Sequence, residues 1–138
     1  MSKVAVIYWS GTGNTEAMAK SIEKGLKEKS AEADVFEVGS APANLDAYEK
    51  VAFGCPSMGA EVLEENTFEP YFTSVEKSLK GKKVALFGSY GWGDGQWMRD
   101  WVERTRSAEA LLVDDGFIQN EAPNTDECES FGKKFADF

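Results

Sequence analysis

The sequence contains no histidine and only two cysteines, Cys55 and Cys128, in 138 residues. Without histidine there is no Ser–His or Cys–His nucleophile pair, and the commonest general base is missing. The two cysteines show no metal-ligand spacing. Positive charge is scarce, with 15 Lys and Arg against 24 Asp and Glu and a net charge of −9. That balance argues against nucleic acid or an anionic membrane as partner and favours positively charged proteins. No apolar run approaches membrane-spanning length, and the N-terminus lacks a basic-then-apolar signal. Repeats, linkers and low-complexity tracts are absent. What is left is an ordinary globular balance, 42% apolar and 28% charged, expected to form one domain over residues 1–138. A chain of this length buries roughly two-thirds of its unfolded surface. A cytoplasmic protein without hydrolytic chemistry is the expectation.

The chain is organised around Val4 to Thr15, VAVIYWSGTGNT. Val4 to Trp9 is a short apolar run, β-branched and aromatic, that predicts a strand buried on both faces. Ser10-Gly11-Thr12-Gly13-Asn14-Thr15 follows, and then a helical pattern with Met18, Ile22, Gly25 and Leu26 on one face. A strand, a glycine-and-hydroxyl loop and a helix in that order aim backbone N–H groups at a phosphate. The dinucleotide fingerprint fails because Glu16 stands where its third small residue belongs. The triphosphate loop fails because no lysine lies between Lys3 and Lys20. A neutral loop rich in hydroxyls suits a terminal phosphate monoester, although the same letters also serve a helix-capping turn.

Further strands are predicted over Ala33 to Val38, Val51 to Cys55 and Val84 to Gly88. A last one runs from Ala110 to Val113 and Gly116 to Gln119, broken at Asp114, Asp115 and Gly116. Phe68, Phe72, Val75 and Leu79 mark a helix that tolerates Pro70 in its first turn and stops at Gly81. Trp97, Met98, Trp101 and Val102 mark another, with Asp94 as its N-cap. A final helix carries Asn124 and Glu127 at capping-box spacing, with Cys128, Phe131 and Phe135 inward. Strands alternating with helices predict an α/β fold with a parallel sheet and helices on both faces.

In such a sheet a ligand lies beyond the carboxyl ends of the strands. Three loops of unusual composition leave those ends: Ser10 to Thr15, Pro56 to Glu61 and Ser89 to Gly93. The second and third each pair glycines with one large side chain, Met58 and Trp92. Glycine lets backbone approach a flat ligand, and a thioether or an indole can lie against its faces. Local packing of Trp92 on the neighbouring loop is the plainer alternative. Cys55 is not a phosphatase nucleophile, since Glu61 occupies the arginine position. A response regulator needs acidic residues where this chain has Trp9-Ser10 and Gly54-Cys55.

The segments YWSGTGNTEAMA, FGCPSMGAEVLEE and KGKKVALFGSYGWGDG resemble the short-chain flavodoxins of anaerobic bacteria, and the likeness runs along the whole chain. The resemblance implies a flavodoxin-like, doubly wound, five-stranded parallel sheet of order 2-1-3-4-5. It implies FMN as cofactor, with phosphate on Ser10, Gly11, Thr12, Gly13, Asn14 and Thr15. Trp92 would cover one face of the isoalloxazine and Met58 the other, with Gly59, Ala60 and Glu61 along the N5 to N3 edge. The backbone of Gly91 and Trp92 would meet N1 and O2, and Ser89 and Asn120 the ribityl side, with Ser57, Tyr90 and Gly93 also among the cofactor-binding residues. Ala60 departs from the polar residue common there in relatives, and Asn120 matches through Gln-Asn-Glu alone. No catalytic residue and no metal is expected.

The function so implied is a low-potential one-electron carrier between redox enzymes, with no substrate chemistry of its own. Negative charge and apolar cover at the ring would separate its two one-electron steps. The alternative is a flavin-dependent NAD(P)H:quinone reductase on the same fold, for which this chain leaves little room. Acidic residues at helix N-termini, with the cluster Glu61, Glu64 and Glu65, predict an acidic face at the ligand end. Partners would be ferredoxin-type reductases and oxidoreductases with basic docking surfaces, met transiently by a monomer.

Overall fold

Val4, Val6 and Tyr8 point to one side of strand β1 (Lys3–Tyr8) and Ala5 and Ile7 to the other, and all five are buried. A strand with no solvent face must sit mid-sheet with cover on both sides. The computed structural model, which describes residues 3–138, builds that arrangement. Helix α1 (Asn14–Glu28) leads to β2 (Glu32–Glu37), and a single 3₁₀ turn at Val38–Ser40 opens the long connection to β3 (Lys50–Gly54). Then follow α2 (Phe68–Glu76), β4 (Lys83–Tyr90), α3 (Gln96–Ser107), β5 (Leu111–Leu112), β6 (Phe117–Asn120) and α4 (Thr125–Ala136).

All pairings within the sheet are parallel, in the order β2-β1-β3-β4-β5, with β6 also on β4. β5 and β6 are two halves of the predicted last strand. Leu111–Leu112 pairs with Lys83–Val84 and Phe117–Asn120 with Phe87–Tyr90. The break lies at the predicted residues: Asp114 Oδ1 accepts the N–H of Gly116, whose φ is +99°. β4 runs two residues further than expected, so Ser89 and Tyr90 belong to the ladder rather than to the loop beyond it.

The two faces carry separate cores. Phe68 and Phe72 of α2 and Trp97 and Trp101 of α3 pack against Phe53 and Leu86. Met18, Ile22 and Leu26 of α1 and Phe131 and Phe135 of α4 pack against Val6 and Phe87. α1 and α4 touch at Gly25 and Gly132, where a Cβ would run into the facing backbone. On the other face the ring of Trp101 meets Phe68 and Phe72 edge-on, at centroid distances of 5.5 and 5.7 Å. Such pairs each add about 0.5–1.5 kcal/mol beyond burial. α2 ends at Glu76, earlier than predicted; Leu79 is still buried, and Gly81 (φ +75°) turns the chain towards β4.

Helix ends bring one correction. Asp94 does not cap α3: the N-cap is Gly95 at φ 94°, and the Asp94 carboxylate accepts from Arg99 Nη2 at 2.8 Å. For α4 the prediction holds in part. Asn124 Oδ1 accepts from the N–H of Glu127 at 3.0 Å, but the N–H of Asn124 goes to Gln119 Oε1 rather than back to Glu127.

Candidate functional site

β1, β3 and β4 end side by side, and the loops leaving them enclose a cleft of about 240 Å³. Gly11, Thr12 and Asn14 line one end. Ser57 and Met58 of the second loop, Ser89 and Tyr90 at the end of β4 and Gly91 beyond it line the rest, with Trp9, Pro56 and Glu121.

At the loop end, Ser10 Oγ accepts the N–H of Gly13 at 3.0 Å, which folds the loop back on itself. α1 then starts from Gly13 in the left-handed region (φ 97°) with no side chain capping it. Its first-turn N–H groups therefore remain open, and they carry the positive end of the helix dipole. The hydroxyl of Thr15, buried, lies 2.9 Å from that of Ser89 and links the loop to β4. No lysine or arginine lines the cleft. A donor set of backbone N–H groups and hydroxyls without a cation fits a phosphate monoester.

The other two loops are tied to each other. The N–H of Ser57 donates to Ser89 O at 3.0 Å. Met58 and Val62 exchange both backbone hydrogen bonds across the three-residue turn Gly59-Ala60-Glu61. Gly59 sits at φ +41° with open space where a Cβ would be, so glycine is needed there for conformation and not for room. Glu61 also has positive φ, +57°. Trp92 stands at the rim, 65% exposed, and does not line the cleft. Gly93 lies under the Glu61 carboxylate, and Asn120 Nδ2 donates to Tyr90 O at 3.3 Å.

One member of the predicted acidic cluster is not a surface charge. Glu64 is buried, and its carboxylate accepts the N–H groups of Asn66, Thr67 and Phe68, all at 2.8 Å. Burial alone would raise its pKa; those donors outweigh it and hold the carboxyl below its ordinary value. Glu64 thus closes the N-terminus of α2, where Thr67 offers no side-chain cap. Burial pushes the Cys55 thiol to about 12 and that of Cys128 to about 11, so both are inert.

Trp9, Pro56 and Glu121 line the cleft without having been singled out from the sequence. Trp9 reads there as the last residue of a strand. Glu121 (φ +53°), whose N–H donates to Tyr90 O, follows the weakest of the motifs. Among the described residues no group of three or more side chains could hold a metal, and no helix is long and apolar enough to cross a membrane.

The family model described as Flavodoxin matches residues 6–132. The chain belongs to the flavodoxin family. It is 45% identical over 136 residues to the flavodoxin of Megasphaera elsdenii, covering 96% of this chain and 98% of that one. Identity to the Clostridium beijerinckii flavodoxin is 46%, covering 95% and 97%. The solution structure of two-electron reduced M. elsdenii flavodoxin superposes with a TM-score of 0.90 at 43% identity, covering 98% and 99%. A flavodoxin from the domain Archaea superposes at 0.87 and 27%, covering 98% and 96%. The strand order expected from the resemblance is the one observed.

Proposed function

We propose that this flavodoxin-family chain binds FMN non-covalently in the cleft and carries electrons between redox proteins. The observation that carries the reading is the junction of an uncapped, cation-free helix N-terminus with a cleft walled by Met58 and Tyr90. The first suits a phosphate monoester and the second a flat ring. Bound FMN supplies the redox chemistry, taking up and releasing electrons. The protein's part is binding, orientation and electrostatics. Ser10, Thr12, Asn14 and Thr15 with the loop's N–H groups hold the phosphate. Gly59, Ala60, Glu61 and Gly91 bring backbone to the ring edge, and Met58 and Trp92 cover its faces. Trp92 is free at the rim to do so.

Glu37, Glu61, Glu65, Glu121, Asp126 and Glu127 follow strand ends or open helices at the ligand end, and none has an ion-pair partner among the described residues. At the far end Lys24, Lys27, Lys29, Lys80, Lys133 and Lys134 are each paired with a carboxylate. Unneutralised acidic charge therefore lies around the cleft. A cytoplasmic monomer meeting basic redox partners in small, transient contacts accounts for it. Electron transfer to such a partner should slow as salt rises, because charges beyond about 10 Å are screened at 0.1 M.

The visible spectrum of the purified protein tests the reading. A yellow protein whose acid-released chromophore is FMN, one per chain, is expected. A colourless protein that takes up no FMN overturns it, and NADPH oxidation by the protein alone would point to the reductase instead.

A further inference from the structure

We propose that Trp9 is a positioning residue for the phosphate end of the cleft, its core-anchored indole setting where the backbone of Gly11 and Thr12 lies. The inference rests on the FMN reading. The N–H of Trp9 donates to Gly54 O at 3.0 Å, which extends the β1–β3 ladder by one residue and fixes the backbone from which the side chain springs. Its side chain packs, partly buried, against the core shared by α2 and α3. From there the indole tip reaches Gly11. A Cβ on Gly11 would lie 2.9 Å from Trp9 Cη2 and 3.2 Å from Cζ3. The ring thus occupies the space that a side chain at position 11 would take.

The loop has few other anchors. Gly11 and Thr12 are exposed; the bond from Gly13 N–H to Ser10 Oγ stays within the loop, and the buried Thr15–Ser89 contact holds only its far end. Since no cation lines the cleft, phosphate affinity depends on several neutral donors being aligned at once. Moving the ring displaces those donors together. The glycine at 11 and the indole at 9 are then one device, the small residue admitting the large one.

Titration of the apoprotein with FMN and with riboflavin, which lacks the phosphate, separates this role from general packing. Trp9→Leu and Gly11→Ala should each weaken FMN by about tenfold or more while leaving riboflavin within about threefold. In the double variant the losses should not multiply, because Trp9→Leu vacates the space that a Cβ at position 11 would otherwise contest. FMN and riboflavin weakened in equal proportion, or independent losses in the double variant, would overturn the proposal. If Trp9→Leu does not fold, Gly11→Ala on an exposed residue decides alone, and wild-type FMN affinity in it overturns the proposal. A wild-type apoprotein that binds neither flavin defeats the FMN reading itself, and this inference with it.

Discussion

Glu61 Oε1 lies 3.2 Å from the backbone nitrogen of Gln96, so a carboxylate on the loop after β3 closes the open end of α3. Gly95, the N-cap, has no side chain to do this, and Asp94 is engaged by Arg99. One side chain thereby joins two of the loops that form the cleft. Glu61→Ala should lose about 0.5–2 kcal/mol of stability, the usual range for a lost cap. Glu61→Gly should lose less, because glycine relieves the positive φ at this position. Urea unfolding of the two variants measures the difference; equal losses would show that φ +57° carries no strain.

Glu64 should govern part of the acid limb of stability. Its folded pKa is held below the unfolded value. The stabilisation is therefore present in full above the unfolded value, near pH 4.3, and is lost as pH falls through the folded one. Glu64→Ala strips three backbone donors at 2.8 Å of their acceptor. It should cost about 1.5–3 kcal/mol at pH 7 and flatten the decline of stability below pH 4. Unfolding midpoints of both proteins between pH 3 and 7 give the comparison. Parallel curves would contradict the assignment.

The two tryptophans should behave oppositely. Trp97 is buried and its Nε1–H donates to Cys55 O at 3.1 Å, whereas Trp92 is 65% exposed. Trp97→Ala should cost about 3–5 kcal/mol and Trp92→Ala no more than about 0.5 kcal/mol in the apoprotein. With FMN bound, Trp92→Ala should raise flavin fluorescence and weaken binding. Unfolding and emission measured on the same samples check both halves.

Thr15→Val removes the hydroxyl that meets Ser89 at 2.9 Å in a buried setting. It strips that partner from Ser89 and takes one donor from the phosphate end. FMN affinity should fall by about tenfold or more, the worth of one hydrogen bond to a charged group. Equal affinity of the wild-type apoprotein for riboflavin and FMN would contradict a phosphate site here.

Much of the fold is legible in the sequence for a local reason. Doubly buried strands are written as continuous apolar runs, and the stripes of Trp97, Met98, Trp101 and Val102 or of Phe131 and Phe135 reflect helical spacing. The loop proposed to hold the phosphate is equally local, its strand, glycines, hydroxyls and helix being contiguous. What the letters hide is partnership across the chain. Asp94 looks like a cap from its position alone, but Arg99 takes its side chain and Glu61 supplies a carboxylate from 35 residues away. Glu64 counts as surface charge until folding gathers three N–H groups around it. Trp9 reads as a strand terminus because nothing nearby in sequence shows its ring lying against Gly11.

The central claim, that this chain is a one-electron carrier, is tested most directly by a potentiometric titration of the FMN-loaded protein with its visible spectrum followed throughout. The unpaired carboxylates about the cleft should make the second electron harder to add than the first. Two separate one-electron steps are predicted, the second at the lower potential. A single, unsplit two-electron step would contradict the account.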